Sequence, residues 1–501
     1  MLFNSIQFLC FFPAVTAIYY ILPHRFRYIF LLIASYGFYM CWNTRYALLM
    51  LCSTLITYIS GIALEKVAPP PPSTHTPITG EQKRRRIVFL SFFLNLAILF
   101  FFKYFNFACI TFVKLGEFLG VPIRLPAFEV ILPVGISFYI FQALSYTMDV
   151  YRGEIPAEKN FLKYALFVSF FPQLVAGPIE RSKNLLSQIS ERHTFLWVRV
   201  KSGLLLMLFG YFQKVVIADR LAILVNQIYN HYQAYEGFEI ALATVFFAFQ
   251  IYFDFASYSN IAVGASRVLG FRLMENFNTP YFSLSVSEFW RRWHISLSTW
   301  FRDYLYIPLG GNRKGKLRKY LNLMIVFLIS GLWHGASWHY VAWGGLNGFF
   351  QVVEDWTKPL RDSVFRRFGV NRKCFSHKLL SGVFTFVLVD FAWLFFRSDG
   401  LITGLRMLRR MFLRFNPWIF FDGTLYTLGL EQKDFTVLAV SFAIILFFSI
   451  CRYRGFHVGP ALARQGLWFR WTFYFFAIFF VLIFGVYGPD TNESVFIYFQ
   501  F

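Results

Sequence analysis

Long apolar runs separated by brief polar breaks dominate the chain. They lie near 5–22, 28–42, 46–64, 87–113, 129–149, 161–178, 202–226, 238–264, 320–350, 379–396, 434–451 and 471–488. A helix crosses the ~30 Å hydrocarbon core of a bilayer in about 20 residues. The pattern therefore predicts an all-α polytopic membrane protein with about ten to twelve transmembrane or re-entrant helices. Residues 1–488 form one transmembrane domain in this reading, and 489–501 a tail. The first run, "MLFNSIQFLCFFPAVTAIYYIL", has neither a basic leader nor a small-residue cleavage site and reads as a retained helix.

The polar breaks orient the runs. "HRFR" (24–27), "EQKRRR" (81–86), "GNRKGKLRK" (311–319) and the basic stretch 358–378 fall on the cytoplasmic side by the positive-inside rule. The turn "NTR" (43–45) then lies outside, and so does the N-terminus. "APPPPSTHTP" (68–77) opens the cytoplasmic loop 68–86 and reads as a stiff, solvated connector. The basic stretch 452–470 and the apolar run after it put "PDTNESVFIYFQF" (489–501) on the extracytoplasmic face. The chain thus ends in five large apolar or aromatic residues of six, with a phenol, Tyr498, among them. An interfacial anchor accounts for that ending, because aromatics are favoured at the membrane surface.

Composition agrees with the membrane class: 57% of the 501 residues are hydrophobic, 15% are charged, and there are 68 Phe and 13 Trp. The formal net charge of +22 sits in short loops, where anionic lipid and topology explain it without nucleic acid. Six scattered cysteines (10, 41, 52, 109, 374, 451) form no Cys-x-x-Cys or Cys/His cluster. They read as free, buried thiols, with no metal site.

Polar groups inside apolar runs carry the candidate chemistry, because an ionisable side chain there is disfavoured by roughly 2.5–3.5 kcal/mol on insertion scales and usually faces a cavity or a partner. His334 stands in "GLWHGASW", near the middle of 321–350. A neutral imidazole suits proton removal from a hydroxyl, although a histidine hydrogen-bonded between helices is an equal reading. Gly331, Gly335, Gly344 and Gly345 permit close backbone approach or a helix break. Upstream, "SEFWRRWHISLSTWFRDYLYIPLGGNRKG" (287–315) reads as an amphipathic segment lying at the cytoplasmic interface. Its Trp290, Arg291, Arg292 and Trp293 suit an anionic substrate handle or lipid headgroups, and His294 is either catalytic or structural. Asp254 needs a cation, with Arg267 or the 291–292 pair as the expected partner. "FFPQLVAGPIERSKNLLSQI" (170–189), which opens on "FFPQLVAGPIER" (170–181), looks more specific than packing requires.

These stretches, with "QIYFDFASYSNIAVGASRVLGFRLMENFNTPY" (250–281), "GLWHGASWHYVAWG" (331–344), "AWLFFRS" (392–398) and the terminal "FIYFQF", resemble the membrane-bound O-acyltransferase (MBOAT) family. Within it they look most like the bacterial alginate O-acetyltransferase branch. The resemblance implies a ring of helices around a thin centre, with funnels from both faces meeting at the active site. It maps the catalytic histidine onto His334 and a second polar position onto His294. Trp333, Trp290, Arg291, Arg292, Trp293 and Asp254 become candidates for substrate binding. The ending fits an F-x-Y-x-x-F pattern through Phe496, Tyr498 and Phe501, in which the tyrosine accepts the acyl group and passes it to an extracytoplasmic SGNH-type transferase.

The expected donor is acetyl-CoA or an acyl carrier protein thioester, the acceptor an exported cell-surface polysaccharide, and the location a bacterial cytoplasmic membrane. D-alanyl transfer to teichoic acid and peptidoglycan O-acetylation are the rivals within the class. A transporter of an acyl donor or glycan is the rival outside it.

Overall fold

The computed structural model describes residues 1–67, 78–121, 125, 132–487 and 496–497, and every regular element among them is a helix. The connector at 68–77 lies outside the described residues. Among the described residues, seven helices are long and apolar enough to cross a membrane: Thr44–Lys66, Gly80–Phe118, Trp197–Asn230, Gly237–Leu269, Phe375–Arg397, Gln432–Tyr453 and Leu467–Phe484. Ile6–Ile21 is apolar but shorter.

Several predicted spans resolve into something else. The run near 129–149 becomes Ile136–Tyr151, 16 residues long and buried along nearly its whole length. The run near 161–178 keeps only the nine-residue helix Phe161–Ser169 and then turns. These stretches are apolar because protein surrounds them, and composition does not separate a protein-buried run from a lipid-facing one. The run 320–350 divides into Lys316–His334 and Trp338–Arg367, parted at 335–337.

The chain forms two compact units, 1–207 with 261–274 and 208–260 with 275–501. In the first, the Arg84 guanidinium gathers the carbonyls of Leu64, Val67 and Tyr151 at 2.6–2.9 Å. It thereby satisfies acceptors that two helix C-termini leave open. The 170–181 motif belongs to this unit. Glu180, fully buried, accepts from the Met274 amide and from Asn184, both at 2.5 Å. A side chain at Gly177 would meet the Gln173 Cα at 2.4 Å. The motif's apparent specificity is therefore met by turn geometry and by one buried carboxyl.

The second unit holds an aromatic core in which Trp293, Trp343 and Trp393 are each 1% exposed. The six cysteines are free, as expected, but none is buried: Cys10 and Cys52 are exposed on the helices Ile6–Ile21 and Thr44–Lys66, and Cys41 is exposed just past the end of His24–Met40.

Candidate active site

His334 is the last residue of Lys316–His334, at the break before Trp338–Arg367. The break is dictated by the glycines. A Cβ on Gly331 would lie 2.2 Å from the Tyr340 carbonyl oxygen, one on Gly344 2.2 Å from that of Phe327, and one on Gly335 2.1 Å from the Tyr340 ring. The two helices touch backbone to backbone because these positions carry no side chain. Gly345 does not share the constraint, since its Cβ would meet only Leu328 Cδ2 at 3.4 Å. Gly331→Ala is accordingly expected to destabilise the protein by about 1–3 kcal/mol and to displace His334. Gly345→Ala should leave both stability and activity near the starting level. Thermal unfolding in detergent with a parallel transfer assay checks both, and equal effects of the two substitutions would refute the close-packing account.

The His334 imidazole is 4% exposed and walled by aromatic rings. Trp343 meets it edge to face at 5.0 Å between centroids, Phe396 at 5.3 Å and Trp333 at 4.8 Å. Trp343 is fixed in turn, stacked on Trp393 at 5.4 Å, while its carbonyl accepts from Asn347 at 2.9 Å. A ring so enclosed keeps one orientation, as a positioned base requires.

His294 approaches the same place from another element. It lies between the short helices Val286–Arg292 and Ile295–Phe301 with φ 42° and ψ 55°. That left-handed conformation is uncommon for a residue with a Cβ and persists only where neighbours enforce it. Asn276 is the enforcer. Its carbonyl accepts the Ile295 amide at 2.9 Å and its Oδ1 accepts the Ser296 hydroxyl at 2.6 Å. Its Nδ2 donates to Ser259 at 3.1 Å. The His294 ring packs edge to face on Phe255 at 4.6 Å and lies 6.0 Å from Trp333, so the Trp333 indole neighbours both imidazoles. Burial pushes the His294 pKa down to about 3. The ring is therefore neutral at pH 7, with one nitrogen as donor and the other as acceptor.

The segment around His294 does not lie flat as an amphipathic surface helix. Trp290 and Trp293 are buried, Trp290 donating to Asn347 at 3.2 Å and Trp293 stacking on Phe289 at 5.3 Å. Their alternation with arginines resembles an interfacial pattern, but the indoles complete the core of the second unit. Arg292 is held by Glu288 at 2.8 Å and by the Thr279 hydroxyl at 3.3 Å. Arg291 is exposed.

Asp254 pairs with neither Arg267 nor the 291–292 pair. Its Oδ1 accepts from Lys214 Nζ at 2.6 Å, and the same ammonium reaches Asp219 at 2.9 Å. Arg267 donates instead to Ser202 at 2.9 Å. Lys214 and Asp219 were detectable as charges inside the apolar run 202–226. Their five-residue spacing does not share an α-helical face, however, and hides the pairing. Phe212–Ala218 is a π-helix, whose i→i+5 turn changes that register.

The remaining carboxylate oxygen of Asp254 accepts the Ile497 amide at 2.6 Å. Phe496 is 1% exposed, edge to face with Tyr258 at 5.0 Å, and its centroid is 4.3 Å from Lys214 Nζ. Tyr498 and Phe501 lie outside the described residues.

The family model for membrane-bound O-acyltransferases matches residues 152–396. A probable alginate O-acetylase (AlgI) of Pseudomonas syringae pv. tomato is 38% identical over 457 residues, covering 90% of this chain and 82% of the relative. A peptidoglycan O-acetyltransferase of Helicobacter pylori is 33% identical, covering 82% and 80%. A teichoic acid D-alanyltransferase of Streptococcus thermophilus is 30% identical over a shorter region, 44% of this chain and 56% of the relative.

Proposed function

Because this chain belongs to the membrane-bound O-acyltransferase family, we propose that it moves an acetyl group from a cytoplasmic thioester, acetyl-CoA or an acyl carrier protein, across the membrane to O-acetylate an exported polysaccharide such as alginate. The polymer is inferred from relatives named alginate O-acetylase, which align over nine-tenths of this chain. The observation that carries the reading is the enclosed imidazole of His334 at a helix break, with the neutral His294 sharing Trp333 as neighbour.

In this mechanism His334 takes the proton of the acceptor hydroxyl as its oxygen attacks the thioester carbonyl. The C–O bond forms, the C–S bond breaks, and the thiolate departs and is protonated. His294, as a neutral donor, stabilises the oxyanion or holds the thioester. Arg291, exposed near this segment, suits the phosphates of an incoming donor. The hydroxyl belongs first to Tyr498. The resulting tyrosyl ester is presented on the outer face of the bacterial cytoplasmic membrane to an SGNH-type partner, which completes transfer to the polymer.

The test uses detergent-purified full-length protein supplied with radiolabelled acetyl-CoA or, in parallel, with D-alanyl carrier protein. Label is expected to move from acetyl-CoA with stoichiometric release of CoA. A protein that consumes only the D-alanyl donor would reassign the acyl group, and one that consumes neither would overturn the proposal.

A further inference from the structure

The mechanism uses the tail but leaves unexplained three buried charges, Lys214, Asp219 and Asp254, exposed by 1%, 5% and 3%. One cation between two carboxylates leaves an excess negative charge. Burying such a charge is costly unless further donors satisfy it. The structure supplies one: the free oxygen of Asp254 takes the Ile497 amide at 2.6 Å, and the cation at the centre lies 4.3 Å from the Phe496 centroid. That donor comes from a segment more than two hundred residues away in sequence, so the cluster ties the tail to the π-helix and to Gly237–Leu269.

The approach to the tail is tied to the same π-helix. The Val486 amide donates to the Val215 carbonyl at 2.8 Å. Arg220, paired with Asp434 at 3.1 Å, reaches the Phe484 carbonyl at 2.9 Å and the Val216 carbonyl at 2.6 Å. The segment is thus fixed before 488 and again at 496–497. Each i→i+5 turn leaves backbone carbonyls out of the regular ladder, and such turns recur at functional sites.

We propose that Lys214, Asp219 and Asp254 are a built seat for the carboxyl-terminal tail, and that Asp254 and Lys214 are positioning residues for Tyr498. The second clause rests on the tyrosyl relay proposed above. Tyr498 follows Ile497 directly in the sequence, so the seat holds the residue next to the proposed acceptor. Tyr258 closes the far side of the seat against Phe496.

The test places a single cysteine at position 500 (Gln500→Cys) in the full chain, with the six native cysteines replaced, and measures labelling by a membrane-impermeant maleimide added from outside. Asp254→Leu removes the acceptor yet leaves Lys214 balanced by Asp219. Phe496→Ala removes the ring over Lys214 but leaves all three charges in place, so it reports even if Asp254→Leu folds poorly. Each is expected to speed labelling about tenfold or more, the scale of losing a hydrogen bond to a charged group or a cation–aromatic contact. Asp254→Asn, which keeps an acceptor oxygen, should recover much of the slow rate. The two substitutions combined should label no faster than the quicker of them, because both release the same segment; a merely structural role for Asp254 would not make the effects overlap. Labelling unchanged in both single variants would overturn the seat while leaving the relay standing. Faster labelling together with undiminished polymer acetylation by Tyr498→Phe would uphold the seat and remove the relay.

Discussion

His334→Ala is expected to lower acetyl transfer by about 10²–10⁴-fold, the usual contribution of a positioned general base, while the protein still inserts and folds. The size of the effect follows from enclosure. Trp343, Phe396 and Trp333 hold the ring within about 5 Å between centroids, so no solvent base can take its place at the reacting hydroxyl. Removing the ring also leaves a void in an aromatic core, and a loss of activity could then reflect disorder. His334→Gln separates the two causes because it fills most of the volume and cannot serve as a base. Equal loss in both variants, with unfolding temperature shifted in His334→Ala more than in His334→Gln, is the expected pattern. Retention of near-normal transfer by His334→Gln would mean that the imidazole only holds the helix break in shape.

Why His334 was legible in the sequence, and the tail seat was not, has a physical answer. A lone histidine amid apolar residues, flanked by Gly331 and Gly335, signals both an expensive polar group and a backbone approach. Both signals are local, and the structure puts the histidine at the break that the glycines create. Asp254 emitted the first signal equally well, but its partner depends on long-range geometry. The nearest arginine in sequence, Arg267, is directed to Ser202, while Lys214 arrives through a π-helix whose register no hydrophobic periodicity announces. The same limit applies to His294. Its left-handed backbone is imposed by Asn276, an uncharged residue in a loop, and nothing about an isolated asparagine marks it as the brace of a candidate catalytic turn.

The fold was legible in class and less so in count. Apolar runs are necessary for spans but also arise wherever a helix is surrounded by protein. That is the case for Ile136–Tyr151, buried along most of its length. The alternation of Trp and Arg over 290–293 misled for a related reason. Interfacial segments and core-completing segments both pair aromatics with cations, and they are told apart by whether the indole nitrogen is satisfied inside. Trp290 is, by Asn347. Two of the four proposed handle residues thus belong to the core that holds His294 and His334 in place, and Arg291 remains the exposed cation of the group.

Tyr498→Phe carries the second large expectation: polymer acetylation falls by about 100-fold or more, the scale of losing or misplacing a reacting group, while the protein level and tail accessibility stay unchanged. The substitution deletes one oxygen and keeps the ring, so any anchoring by aromatic burial survives. The neighbouring Phe496 and Ile497 remain seated on Lys214 and Asp254. The donor side of the reaction offers an internal check. With no tyrosyl oxygen to attack, CoA release from acetyl-CoA should fall in step with polymer acetylation, since both need the same acceptor. A variant that still releases CoA at the original rate but transfers nothing to polymer would place water at the acceptor position, and the tyrosine would then act after the first transfer. One that acetylates polymer normally would make the polymer or its carrier the direct acceptor at His334, leaving the aromatic ending as a membrane anchor. Mass spectrometry of the carboxyl-terminal peptide, trapped in the absence of the extracytoplasmic partner, distinguishes these outcomes: the relay requires a 42 Da acetyl increment (about that of C2H2O) on Tyr498 that disappears in His334→Gln.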